Sequence, residues 1–272
     1  MPLLDRGTHT VHYEVHGRPG APPLLLVMGM GFSSRAWHTL PSQLRGDFRV
    51  IQFDNRGAGR STLPRGLYRM RDMADDAAAV LDAVGVASAF VFGISMGGMI
   101  AQELALSHPE RVRALVLGAT FAGYLRSRKP SLRTGYDLLR SVLRGRGATA
   151  ARAARLLVSA EHFAADPEGF TTWLRGTEHV PPRVAFRQMA AVMLHDRARR
   201  LRALRVPTLV ITGDRDRLVP PSNARKLARL IPGARLVILP GAGHVFPVER
   251  PRETVAAVKE FFLGAAPAQG GA

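Results

Sequence analysis

The sequence predicts an α/β fold with a mostly parallel sheet covered by helices on both faces. Three observations carry that expectation. Short apolar runs alternate with helical patterns along the chain, which is the rhythm of βαβ units. Several of those runs are apolar throughout, as strands are when both faces of a sheet are covered. The chain has 272 residues, 46% of them hydrophobic and 22% charged, enough to bury a core without staples.

The elements follow in order. Thr8 to His16 alternates, with Val11, Tyr13 and Val15 on one side, and reads as a half-exposed strand. Pro23 to Met28 is wholly apolar and runs into Gly29-Met30-Gly31. Phe48 to Asp54 is a strand that ends in Asn-Arg-Gly-Ala-Gly. Met70 to Val84 has helical spacing, with Met73, Ala77, Val80, Leu81 and Val84 on one face and Gly85 as its stop. Ala89 to Gly93 is a buried strand, Met96 to Ser107 a helix bounded by Pro109, and Val112 to Leu117 a strand. Val206 to Thr212 and Ala234 to Leu239 are the last strands, with helices at Pro220 to Leu230 and Arg252 to Phe262.

Residues 121–205 break this rhythm. The stretch is rich in Arg, Ala and Leu, with helical candidates at Arg140 to Val158, Thr171 to Gly176 and Arg183 to Leu194. It reads as a helical insertion into a core made of 1–120 and 206–272. The Gly/Ala/Pro-rich tail from Gly264 is expected to fray.

The formal charge is +17, from 38 basic and 21 acidic residues. Only Lys129, Lys226 and Lys259 are lysines, and residues 121–205 hold 17 basic against 6 acidic side chains. No zinc-finger, RNP or basic-zipper pattern accompanies the charge, so a solvated Arg-rich surface is expected and no nucleic-acid partner. The absence of Cys excludes a disulfide scaffold, a thiolate nucleophile and a Cys-based zinc site. The opening MPLLDRGTHT has no apolar stretch, and no run approaches the roughly 20 residues of a membrane span. A cytoplasmic protein without a membrane partner is expected, with self-association left open.

The chemistry centres on Gly93-Ile-Ser95-Met-Gly97, which follows a buried strand and opens a helix. A chain that turns this sharply strains its backbone at Ser95. Glycines on either side let the two segments pass closely, and the hydroxyl is left exposed at a helix N-terminus. A serine at neutral pH needs a base, itself oriented by an acid. Of the nine histidines, His244 lies in the loop after the last strand, at the sheet end where such sites gather. The acid is expected between Ser95 and His244, in Gly213-Asp214-Arg-Asp216. Asp216 is preferred, with Asp214 as the other candidate; the aspartate that is not the acid would brace the turn. Backbone N–H groups of Met96 and Met30 are the expected oxyanion donors. Asp54-Asn-Arg56-Gly57 reads as a turn with Arg56 tied into local carboxylates. Phe32, Trp37, Phe121, Leu218, Val245 and Phe246 flank these loops and are the candidates for an apolar substrate pocket.

From Thr8 to Phe262 the chain resembles the α/β-hydrolase superfamily, in its serine-nucleophile branch of small carboxylesterases and enol-lactonases. The resemblance rests on Met28-Gly-Met-Gly31, Phe53-Asp-Asn-Arg-Gly-Ala-Gly-Arg-Ser61, Gly93-Ile-Ser-Met-Gly-Gly98, Gly213-Asp-Arg-Asp216 and Gly243-His244 with Glu249-Arg-Pro251. It implies an eight-stranded, mostly parallel sheet with a helical cap inserted after the sixth strand, and it supports Asp216 as the acid. Many members carry His-Gly where this chain has Met28-Gly29, which changes what braces that loop. Ser95 argues against the dehalogenases and epoxide hydrolases of the fold, which use Asp. The expected activity is hydrolysis of a small or medium-sized ester or lactone through an acyl-enzyme, with no metal and no cofactor. The same residues could serve a meta-cleavage C–C hydrolase or an acyltransferase.

Overall fold

The computed structural model describes residues 2–144, 155–177 and 180–265. Eight strands form one sheet: β1 (Leu3–Asp5), β2 (Thr10–His16), β3 (Pro23–Val27), β4 (Arg49–Phe53), β5 (Ala89–Ile94), β6 (Val112–Gly118), β7 (Thr208–Gly213) and β8 (Arg235–Leu239). Their order is β1-β2-β4-β3-β5-β6-β7-β8. β2 pairs antiparallel with β1 and β4, and every other pairing is parallel. This is the mostly parallel eight-stranded α/β sheet that the apolar runs and the resemblance implied. β5 and β7 are buried at every position, which is why they read as unbroken apolar runs.

One apolar layer packs the sheet against α2 (Met70–Ala83) and α3 (Met96–Ser107). The other face carries a layer joined by Trp37, Phe48, Phe90, Phe92 and Phe262, which includes α1 (Leu40–Leu44). α2 starts where Asp72 Oδ2 accepts from Arg69 N at 2.7 Å, and it stops at Gly85, whose φ of 67° favours glycine.

β1 had no sequence signal, being three residues long, and it pairs with β2. The alternation read in β2 fails at one end. Val15 is exposed, and His12 is buried instead, with Nδ1 3.2 Å from Asp54 Oδ2. A carboxylate partner satisfies the ring, which is how a polar residue enters an apolar layer.

Between β6 and β7 the described residues form α4 (Leu132–Arg144), α5 (Ala160–Ala165), α6 (Pro167–Gly176), α7 (Pro182–Met193) and α8 (Ala198–Leu201). The helix expected from Arg140 to Val158 starts earlier than its sequence signal, at Leu132, and its middle lies outside the described residues. His179 and the end of the tail, 266–272, lie outside them too. α9 (Ser222–Leu230), the short α10 (Phe246–Glu249) and α11 (Pro251–Ala265) complete the chain. No described helix is long and apolar enough to cross a membrane.

The two ends of this helical segment are knitted together. Gly123 and Asp196 form an antiparallel bridge, Tyr124 N donates to His195 O at 2.9 Å, and Arg197 N donates to Ala122 O at 2.7 Å. The His195 ring is wholly buried, 3.2 Å from Gln102 Oε1 on α3. Because Gln102 Nε2 donates to Phe121 O, its Oε1 faces the ring and accepts from His195 Nε2–H. Burial, reinforced by the Arg197 charge, pushes the His195 pKa from 6.5 down to about 3. The folded protein therefore holds this ring neutral where the unfolded chain protonates it. Below pH 6.5 unfolding takes up a proton at this site, so its stabilising contribution falls with pH down to about 3. Denaturant melts at stepped pH should show wild type losing ground to His195→Gln below pH 6.5, at up to about 1.4 kcal/mol per pH unit. A constant difference from about pH 7 to about pH 4.5 would contradict it.

Candidate active site

β5 delivers Ser95 and α3 starts at once after it. Ser95 adopts φ 57° and ψ −121°, a region costing a non-glycine residue about 1–3 kcal/mol. The surroundings hold it there: Ser95 N donates to Gly118 O at 2.8 Å, and Thr120 Oγ1 donates to Ser95 O at 2.8 Å. The glycines are required by close approach. A Cβ on Gly97 would overlap the Val27 carbonyl, and one on Gly98 would sit 2.7 Å from Thr120 Cγ2. The end of β3 and the loop after it thus lie directly against the elbow, and Ser95 stays partly exposed.

Asp216 and His244 meet across two loops at the carboxyl ends of β7 and β8. His244 Nδ1 lies 2.8 Å from Asp216 Oδ2, and the Asp216 carboxylate is fully buried. Asp216 Oδ1 accepts from Leu218 N at 2.9 Å and Val219 N at 2.8 Å. With backbone donors on one oxygen, the carboxylate acts as acceptor, so His244 Nδ1 carries the hydrogen and Nε2 offers its lone pair. Asp214 points elsewhere, accepting from Gly241 N at 2.7 Å and bracing one turn to the next.

The His244 loop is braced further by Glu249, a residue with no sequence signal beyond its place in the Glu249-Arg-Pro251 motif. Glu249 Oε1 accepts from Gly243 N at 2.8 Å, and Oε2 accepts from Ser159 N at 2.9 Å. Burial raises its pKa, and the two backbone donors pull against that rise. Val245 N donates to Leu157 O at 3.0 Å, so the segment before α5 sits on the histidine loop.

The Met28–Gly31 loop is braced from β4. Asn55 Nδ2 donates to Met28 O at 2.8 Å, and Asp54 Oδ1 accepts from Ser34 N at 2.7 Å. Arg56 turns away to α2, where its Nε lies 2.5 Å from Asp76 Oδ2. The Asp54-Asn-Arg56 turn thus braces the Met28–Gly31 loop and ties it, through Arg56, to α2. Met96 is the first residue of α3, so its N–H has no acceptor within the helix.

The expected apolar pocket set divides three ways. Phe32, Leu218 and Val245 are partly buried and pack on the layer around Phe92. Phe121 packs on the opposite layer, with α2 and α3. Trp37 and Phe246 are corrected: both are 2% exposed or less, and both pack on Phe92, with ring centroids 5.0 Å and 6.5 Å away. Their surface is used by the core and offers a substrate no face. Each lies in a single helical turn beside the motif loops, Trp37 at the end of Ser34–Trp37 and Phe246 at the start of α10, and that turn lays its ring on the core. The ring of Trp173 on α6, unmarked in the sequence, joins the same layer, its centroid 6.2 Å from that of Phe32.

A sequence model of the alpha/beta hydrolase fold matches residues 22–251. The chain belongs to the alpha/beta hydrolase fold family. Its coarse activity follows: a hydrolase of that fold. A putative carbamate hydrolase RutD from Azorhizobium caulinodans is 33% identical over 258 residues, covering 92% of this chain and 94% of that protein. Among solved structures, the enol-lactonase from Burkholderia xenovorans LB400 superposes with a TM-score of 0.86 at 26% identity, covering 96% of this chain and 100% of that one. A thermophilic esterase from Thermogutta terrifontis gives 0.82 at 28% identity, with 97% of each chain covered. The elbow and the His244–Asp216 pair of this alpha/beta hydrolase thus sit in a fold shared along nearly its whole length with proteins described as an enol-lactonase and an esterase.

Proposed function

We propose that the protein is a serine hydrolase that cleaves small or medium-sized carboxylic esters or lactones through an acyl-enzyme. The buried His244 Nδ1–Asp216 contact at 2.8 Å, in a chain whose serine is held in a strained elbow, carries this reading. Ser95 Oγ attacks the acyl carbon while His244 Nε2 takes its proton. Asp216 keeps Nδ1 protonated and steadies the imidazolium that forms. Met30 and Met96 N–H groups receive the charge that develops on the carbonyl oxygen. His244 then protonates the departing alcohol, and water, activated the same way, releases the acid. The three relatives named above, described as a putative carbamate hydrolase, an enol-lactonase and an esterase, have names that imply substitution at an acyl carbon, which supports this class.

In this reading residues 1–120 and 206–272 are the catalytic core and 121–205 a cap that limits substrate size. The Arg-rich cap is a solvated surface, so neutral esters are preferred. Their kcat/KM should change less than about threefold between roughly 0.01 and 0.1 M ionic strength. A tenfold fall for a carboxylate-bearing ester would give the cap arginines a recognition role instead. The primary test is a fluorophosphonate probe followed by peptide mapping, with a panel of p-nitrophenyl esters, lactones and carbamates. Label on the Ser95 peptide and turnover of esters or lactones are expected. Absence of label would overturn the serine mechanism.

A further inference from the structure

α7 is amphipathic, and its inward face holds Val184, Ala185, Gln188, Ala191 and Val192. One of these is polar. Gln188 is 1% exposed, and an amide buried among apolar neighbours costs free energy unless it is hydrogen-bonded. Its Oε1 accepts from Gly31 N at 2.9 Å, across 157 positions of sequence. The Gly31 carbonyl is held from the same side, accepting from Val180 N at 3.3 Å. Both backbone polar groups of Gly31 are therefore engaged by the segment between β6 and β7.

Gly31 has φ 87°, a conformation that needs glycine and turns the chain just after Met30. The peptide planes that carry Gly31 N–H and Met30 N–H meet at the Met30 Cα, so anchoring Gly31 N–H limits how the plane of Met30 N–H can rotate. α7 is fixed independently of this bond. Val184 packs against Gly57, where an added Cβ would lie 2.8 Å from its Cγ2, and Arg187 Nη1 donates to Pro64 O at 2.6 Å. The helix is thus a rigid mount and Gln188 the arm that reaches the loop.

We propose that Gln188 is a positioning residue that holds Gly31 N–H and thereby aims Met30 N–H at the reacting carbonyl oxygen. The assignment rests on the serine-hydrolase reading above. It makes completion of the oxyanion site depend on the cap being docked, because the arm belongs to the cap and the donor to the core.

The test is the second-order rate of fluorophosphonate labelling, which needs the same oxyanion donors and no knowledge of the natural substrate. Gln188→Met keeps bulk and loses the acceptor, and should label about tenfold more slowly. With an ester substrate its kcat should fall by a similar factor at unchanged KM. Gln188→Glu keeps an acceptor and should recover to within about threefold of wild type. Phe186→Ala, at an exposed position of the same helix, leaves Val184, Arg187 and Gln188 in place and should stay within about twofold. If Gln188→Met fails to fold by circular dichroism, Gln188→Ala is read in its place. A wild-type rate in the Gln188 variant, or an equal slowing in Phe186→Ala, would overturn the positioning role alone. Failure of the wild type to label at Ser95 would instead overturn the serine mechanism, and the proposal with it.

Discussion

Ser95→Ala is expected to lower kcat for an ester substrate by about a million-fold while the protein stays folded. The nucleophile is the group that forms the covalent bond, so nothing nearby replaces it. The residual rate comes from binding and oxyanion stabilisation, which survive the substitution. Stability should hold or rise slightly. Alanine meets the same φ of 57° as serine, and no hydrogen bond of the Ser95 side chain within the protein is lost among the described residues. The measurement is kcat per mole of folded protein alongside a thermal melt. A variant that keeps a tenth of wild-type activity would remove Ser95 from the chemistry.

Asp216→Asn is expected to lower kcat by about 10⁴, and Asp214→Asn by less than about tenfold. The amide introduced at the first position would place either an N–H or a weaker acceptor against His244 Nδ1, which disfavours the tautomer that leaves Nε2 free. Leu218 N and Val219 N already claim the other oxygen, so the side chain has little freedom to turn. Asp214→Asn can still accept from Gly241 N and should cost mainly stability. Comparing kcat for the two folded variants decides the matter. The reverse ranking would move the acid to Asp214.

Much of the fold was legible because its signals are local. A strand buried on both faces must be apolar throughout, and β3, β5 and β7 are close to that limit. The elbow is written in five consecutive residues, since strain at Ser95 and the close approach of Gly93 to Gly97 both act within one turn. His244 could be singled out because the loop after the last parallel strand opens on the functional end of the sheet. Short elements were not legible. β1 has three residues and draws its order from β2, and α10 has four.

What the sequence by itself determined is therefore the α/β architecture, the elbow with its serine, and a short set of partners for it. Each follows from backbone geometry or burial within a few neighbouring residues. Only the tertiary structure decided which aspartate faces His244, because Asp214 and Asp216 share one turn and differ solely in which residue of the loop after β8 each meets. It also decided that Trp37 and Phe246 belong to the core, and that Glu249 and Gln188 tie the loops of the site to the segment between β6 and β7. The physical reason is that a hydrogen bond between residues 90 or 157 positions apart leaves no periodicity in the chain; it exists only once packing has brought a buried polar group to a donor it can satisfy.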